Sequence, residues 1–75
     1  MNLHHLIKMA NQIGSFFETM PNRPQAMTDF ASHIKRQWEP RMRTALLQYA
    51  ANAPDDNELH SIVRETIKVH VEAMR

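Results

Sequence analysis

A proline near the middle of the chain constrains the fold more than any other residue. Pro40 follows Trp38 and Glu39. Proline disfavours the α conformation in the residue before it, so a helix that carries Trp38 is predicted to end there. Proline also suits the first turn of a helix, where its missing N–H costs no hydrogen bond. The sequence therefore predicts a corner between two helices at residues 38–40.

Basic side chains are concentrated around this corner. Lys35, Arg36, Arg41 and Arg43 accompany a single acid, Glu39, whereas the whole chain carries a net charge of only +1. A cation in the first turn of a helix faces the positive end of the helix dipole, at a cost of roughly 0.3–1 kcal/mol. Two interpretations of Arg41 and Arg43 are open: Glu39 offsets their charge, or an acidic partner surface binds their guanidinium groups.

Apolar residues recur at three- and four-residue spacing along four segments, which predicts helices over residues 2–19, 24–38, 40–53 and 57–74. No segment alternates with a period of two over the length of a strand. The predicted fold class is all-α, a small bundle of four helices joined by short turns, with residues 1–75 forming one domain. The predicted core stripes are Leu3, Leu6, Ile7, Ala10, Ile13 and Phe17; Met27, Phe30, Ala31, Ile34 and Trp38; Met42, Ala45, Leu46, Tyr49, Ala50 and Ala53; and Leu59, Ile62, Val63, Ile67, Val71 and Met74.

Turn residues indicate where two of the helices begin. Asn22 is a good N-cap for the second helix, because Pro24 follows near the first helical position. Asp55 with Glu58 three residues later resembles a capping box for the fourth helix, and Asn57 is an alternative cap.

Gly14 is the only glycine in the chain, and it falls inside the first predicted helix. A glycine there costs about 1 kcal/mol relative to alanine. Close approach of another backbone is one use for such a glycine, so the sequence predicts a tight helix crossing at this position.

The length of 75 residues lies near the lower limit for a self-sufficient core. A core of this size rarely supplies more than about 3–5 kcal/mol, and the absence of cysteine excludes a disulfide. A hydrophobic content of 43% then favours burial of surface against a partner, or against a second copy as a homodimer when the chain is isolated. No apolar run approaches a membrane span and no signal peptide is evident, so we expect a soluble, cytoplasmic protein.

The chemistry-bearing residues do not form a recognisable catalytic or metal-binding pattern. His4 and His5 are adjacent, so on a helix they point about 100° apart and cannot form an i, i+4 zinc pair. His33, His60 and His70 stand alone, and no serine has the context of a nucleophile. We expect no metal, no cofactor and no catalytic activity of the chain on its own.

Binding of nucleic acid is the alternative function. Cations around a helix–turn–helix-like corner could contact phosphates, with Trp38 stacking on a base. The third predicted helix, however, offers Thr44, Gln48 and alanines where a recognition helix would carry base-reading side chains, and the overall charge is weak.

Several blocks of the sequence resemble a known family. Residues 9–17 read Met-Ala-Asn-Gln-Ile-Gly-Ser-Phe-Phe, and residues 38–43 read Trp-Glu-Pro-Arg-Met-Arg. With Pro21 and the pair His33-Ile34, these blocks resemble the delta subunit of soluble, NAD-dependent, molybdenum-containing formate dehydrogenase. The chain departs from the family pattern at Glu39, where aspartate is more usual, and at residues 53–58, which replace a glycine-rich connection.

The resemblance implies a small accessory subunit without a cofactor, whose partner is the large catalytic (alpha) subunit of formate dehydrogenase. That subunit holds the molybdenum cofactor and iron–sulfur centres, and the delta subunit supports its assembly, cofactor loading or stability. Tryptophan and arginine often dominate interface energy, so Trp38 is predicted to anchor the partner. Trp38 filling the gap between the second and third helices is the other interpretation, and exposure to solvent is the other one for Asn11 and Gln12. The predicted partner-binding residues are Asn11, Gln12, Arg36, Trp38, Arg41, Met42 and Arg43.

Overall fold

Four α-helices make up the fold, seen here in a computed structural model that describes residues 2–75. They are α1 (Leu3–Glu18), α2 (Arg23–Gln37), α3 (Pro40–Asn52) and α4 (Ser61–Met74). The last of these is kinked at His70, where φ is −117° and ψ is 26°. No strand occurs within residues 2–75, which confirms the predicted all-α class.

Asparagine side chains begin the first two helices. The Asn2 side chain accepts a hydrogen bond from the main-chain N–H of His5, and Asn22 accepts one from the N–H of Gln25 at 3.0 Å. Each bond satisfies one of the N–H groups that a helix leaves without an internal partner. The predicted cap at Asn22 is confirmed.

The fourth helix begins later than predicted, at Ser61 rather than at residue 57. Neither proposed cap forms: His60 precedes the helix in an extended conformation, and no side chain caps its first N–H groups. Asn57 instead closes the loop, accepting a hydrogen bond from the N–H of Leu59 at 3.0 Å. Leu59 is only 3% exposed, so it contributes to the core from the bend before the helix rather than from α4 itself.

Asp55, the other member of the predicted capping box, contacts α4 in a different way. Lys68 donates a hydrogen bond from Nζ to Asp55 Oδ1 at 2.8 Å. This bond lowers the pKa of the Asp55 carboxyl below its usual value, so the stabilisation by the pair is fully present above the usual pKa and is lost as the pH falls through the lowered one. The pair fastens the loop to the exposed side of α4.

One hydrophobic core joins all four helices, and α4 packs chiefly on α2. Its fully buried centre contains Phe30 and Ile34 from α2, Leu46 from α3 and Ile62 from α4. The buried apolar residues are Leu6, Ile7, Ala10, Ala26, Phe30, Ala31, Ile34, Trp38, Leu46, Ala50, Leu59, Ile62, Val63, Ile67 and Met74.

Gly14 lies where α1 crosses α4. A Cβ atom at this position would stand 2.7 Å from Val63 Cγ2 and 3.1 Å from Ile62 Cγ2, both closer than ordinary van der Waals contact. The predicted tight crossing is therefore confirmed.

An exposed ion-pair cluster connects the C-terminal end of α1 to its neighbours. Arg23, at the start of α2, lies 2.6 Å from Glu65 of α4 and 3.4 Å from Glu18 of α1. The hydrogen bond to Glu65, with the one to Glu18, raises the pKa of Arg23 above its usual value. Arg23 thus stays positively charged and links three helices.

Replacing Gly14 with alanine should destabilise the fold. Overpacking costs roughly 1–3 kcal/mol, and better helix propensity returns about 1 kcal/mol, so we expect a net loss of about 1 kcal/mol in the free energy of unfolding. Urea unfolding followed by circular dichroism measures it. In a Val63→Ala background the nearest methyl group is gone, and the same change at Gly14 should be neutral or stabilising. Equal effects in both backgrounds would rule out the close contact as the cause.

Candidate interaction surface

The predicted corner is present, and it is formed by two extended residues. Trp38 has φ −94° and ψ 139°, and Glu39 has φ −65° and ψ 153°. The helix before them ends at Gln37, and α3 begins at Pro40. The chain changes direction where proline excludes a continuous helix.

Trp38 points into the protein. Its relative exposure is 5%, and it belongs to the core cluster. The prediction that its indole anchors a partner is therefore corrected: the side chain fills the space inside the corner, which was the second interpretation. Met42 is half-buried and packs against the same core.

Arg43 connects the two helices across the corner. Its Nη1 donates a hydrogen bond to the main-chain oxygen of Trp38 at 2.5 Å and approaches that of Lys35 at 3.4 Å. Its Nη2 donates to the main-chain oxygen of Arg75 at 3.3 Å. The carbonyl end of a helix carries partial negative charge. The carbonyl end of α2, rather than Glu39, therefore offsets the cost of this cation in the first turn of α3.

Lys35 adds a second cation at the same end of α2. It lies in the last turn of that helix, where the dipole favours positive charge. Its Nζ donates a hydrogen bond to the main-chain oxygen of Arg75 at 2.7 Å. Two of the four basic residues at the corner thus hold main-chain oxygens of the protein itself.

Arg36 and Arg41, which we call the corner patch, are both exposed. Arg36 donates from Nε to the hydroxyl oxygen of Ser32 at 3.3 Å, a neutral acceptor. Neither guanidinium forms an ion pair with a carboxylate of residues 2–75. The corner patch is therefore the part of the predicted basic surface that contacts neither a carboxylate nor a main-chain oxygen of residues 2–75.

Asn11 has a structural contact that the sequence did not reveal. Its Nδ2 donates to the main-chain oxygen of Glu58 at 3.0 Å, and its Oδ1 accepts from the N–H of His60 at 2.8 Å. Gln12, by contrast, is exposed at the rim of a groove of about 600 Å³ beside α1. The position of Asn11 as a polar residue in an apolar helix was the one sequence signal for this contact. The sequence could not identify its partners, because they lie 47 and 49 positions away.

Among residues 2–75, no three histidine, aspartate or glutamate side chains converge on one point. Nor is any helix in this range long and apolar enough to cross a membrane.

The fold defines a small all-α bundle with a cationic corner between its second and third helices. A comparison with protein families matches residues 5–67 to the NADH-dependent formate dehydrogenase delta subunit FdsD. The match spans most of the chain, so the chain belongs to this family, as its sequence blocks indicated. Searches of curated proteins and of solved structures find no match.

Replacing Arg43 with alanine should destabilise the protein, because the main-chain oxygens of Trp38 and Arg75 lose a charged hydrogen-bond donor. A hydrogen bond to a charged group contributes about 1.5–3 kcal/mol, and we expect a loss of about 2 kcal/mol in the free energy of unfolding. Arg41→Ala is the matched control, two residues away and exposed, with an expected change within about 0.5 kcal/mol. Chemical denaturation of both variants measures the difference; equal stabilities would refute the bridging role of Arg43.

Asn11→Ala should also lower the free energy of unfolding, by about 1–3 kcal/mol, because two main-chain groups of the loop lose their partner. Hydrogen exchange should show faster exchange of the His60 amide. Gln12→Ala, next to it on α1, should change neither quantity. An unaltered exchange rate of the His60 amide in the Asn11 variant would show that the Asn11 side chain does not hold this loop.

Proposed function

We propose that the chain is a non-catalytic accessory subunit that docks on the catalytic subunit of NADH-dependent formate dehydrogenase through the corner patch. Membership of the delta-subunit family supports the choice of partner. The observation that carries the choice of surface is the pair of exposed cations, Arg36 and Arg41, which no carboxylate of residues 2–75 neutralises.

Guanidinium groups favour a surface that carries carboxylates. Arginine presents a planar fork of donors that can bind a carboxylate with two parallel hydrogen bonds. Complementary charge mainly accelerates association and selects the partner, while apolar contacts nearby supply affinity. The nucleic-acid alternative relies on the same guanidinium groups, but membership of a subunit family supports a protein partner.

Docking would help the enzyme through the stability of the assembled state. A partner that binds only the folded form stabilises it by mass action. The accessory subunit would thus favour assembly, cofactor loading or persistence of the catalytic subunit in the cytoplasm, and would need no cofactor of its own. In the absence of that partner, the same surface would be free to support a homodimer.

Charge reversal tests the corner patch. The double variant Arg36→Glu, Arg41→Glu should bind the purified catalytic subunit at least about tenfold more weakly, because two attractions become repulsions. Its thermal unfolding should match that of the wild type, since both side chains are exposed and the dipole interaction lost at the end of α2 is regained at the start of α3. Lys8→Glu is the control, an equal reversal at an exposed position on α1 that should leave binding unchanged.

The salt dependence of binding gives a second measurement. Wild-type affinity should fall as ionic strength rises, and the double variant should lose much of that dependence. Full binding by the double variant would exclude the corner patch as the docking surface. A wild-type chain that fails to bind the catalytic subunit at all would overturn the proposed function itself.

A further inference from the structure

Two adjoining hollows lie between α3 and α4. One hollow of about 460 Å³ and another of about 200 Å³ share three lining residues, Leu47, Ala51 and Val71. Because the two hollows share these residues, they adjoin each other, and together we call them the α3/α4 groove. Pro40 lines one end of it, so the groove opens beside the corner.

The floor of the groove is apolar and is not covered by the rest of the protein. Leu47 and Val71 are half-buried, and Ala51 is exposed. Ala50 and Ile67 extend the floor, and Pro54 lines the end that is remote from the corner. An apolar depression between two helices is the usual seat for the apolar face of an amphipathic helix.

Every charged side chain that lines the groove is a cation. Arg43 and Arg75 line the hollow next to the corner, and Arg64 and Lys68 line the other one. Two of these have carboxylate partners: Lys68 lies 2.8 Å from Asp55, and Arg75 lies 3.0 Å from Glu72. The remaining two, Arg43 and Arg64, have none among residues 2–75.

Main-chain oxygens alone hold these two arginines. Arg64 donates from Nη2 to the main-chain oxygen of Leu59 at 3.0 Å, in the same manner as Arg43 holds that of Trp38. The Nε of each arginine is buried without an acceptor. Each hollow therefore contains one guanidinium that is held by main-chain oxygens and forms no salt bridge with a side-chain carboxylate of residues 2–75.

We propose that the α3/α4 groove binds an amphipathic helical segment of the catalytic subunit, with apolar side chains against Leu47, Ala51 and Val71. Carboxylates of that segment lie toward Arg43 and Arg64. The charges select the occupant: a basic segment would be repelled at both ends, and a phosphate would leave the apolar floor exposed. This inference rests on the proposed function and adds a second surface next to the corner patch.

Ala51→Glu tests the groove directly, because Ala51 lines both hollows and is exposed. A carboxylate there repels an acidic segment and obstructs the floor, so binding to the purified catalytic subunit should weaken about tenfold or more. Ala73→Glu is the matched control: it makes the same change at an exposed helical position outside the groove. Both variants should unfold at the wild-type temperature, since neither alanine is in the core.

Photo-crosslinking identifies the occupant. A benzophenone side chain in place of Gln48, which is exposed and lines the groove, should crosslink to the catalytic subunit within a segment that is helical, apolar on one face and acidic. The same probe in place of Ala73 should give no such product. A crosslink to a basic segment, or none with Gln48 replaced, would overturn the proposal.

The outcomes separate this inference from the proposed function. Loss of binding with Ala51→Glu but not with Ala73→Glu supports the groove. Full binding by Ala51→Glu, together with loss in the corner-patch double variant, overturns the groove and leaves the proposed function standing. Failure of the wild-type chain to bind overturns both.

Discussion

The hydrogen bonds of Arg43 to the carbonyl end of α2 hold the corner on which the rest of the surface depends. They replace solvent at main-chain groups that a helix end cannot satisfy internally, and they place a cation where the dipole of α2 favours it. Trp38 fills the space behind the same turn. Because Arg43 and Trp38 hold the corner from both sides, Arg36 and Arg41 lie at the ends of two helices rather than in a loop. A fixed geometry lowers the entropy lost when such side chains bind a partner.

The corner also shows which parts of the structure could be predicted from the sequence. Pro40 acts on the residue before it, and Asn22 acts on a group three positions later, so both effects are local and both predictions hold. The tight crossing at Gly14 could be predicted without knowing which helix crosses there, because a glycine inside a helix has few other uses. The start of α4 was mispredicted for the opposite reason: Asp55 contacts Lys68, 13 positions away, and Leu59 is buried in the core, and neither contact can be read from the local sequence.

The proposed interaction surface could be predicted only in part. The excess of cations at residues 35–43 located the patch, but the sequence could not show which of them are already engaged. Arg41 and Arg43 are the same residue type two positions apart, yet one is exposed and the other holds a neighbouring helix. The groove between α3 and α4 had no sequence signal, since Leu47 and Val71 look like ordinary members of an apolar stripe. Its charge pattern appears only when two helices are brought side by side.

The contact between Asn11 and the loop before α4 limits where the chain can change length. Asn11 holds the main-chain oxygen of Glu58 and the N–H of His60, so these groups must keep a constant distance from the first helix. Residues 53–57 have no such tie to α1, so a change of length there would disturb the Asp55–Lys68 pair and the contacts of Asn57 but not those of Asn11. One residue added in the first turn of α4, before Val63, would shift every later side chain by about 100° around the helix. Val63 would then turn away from Gly14, and the crossing of the two helices would lose its fit.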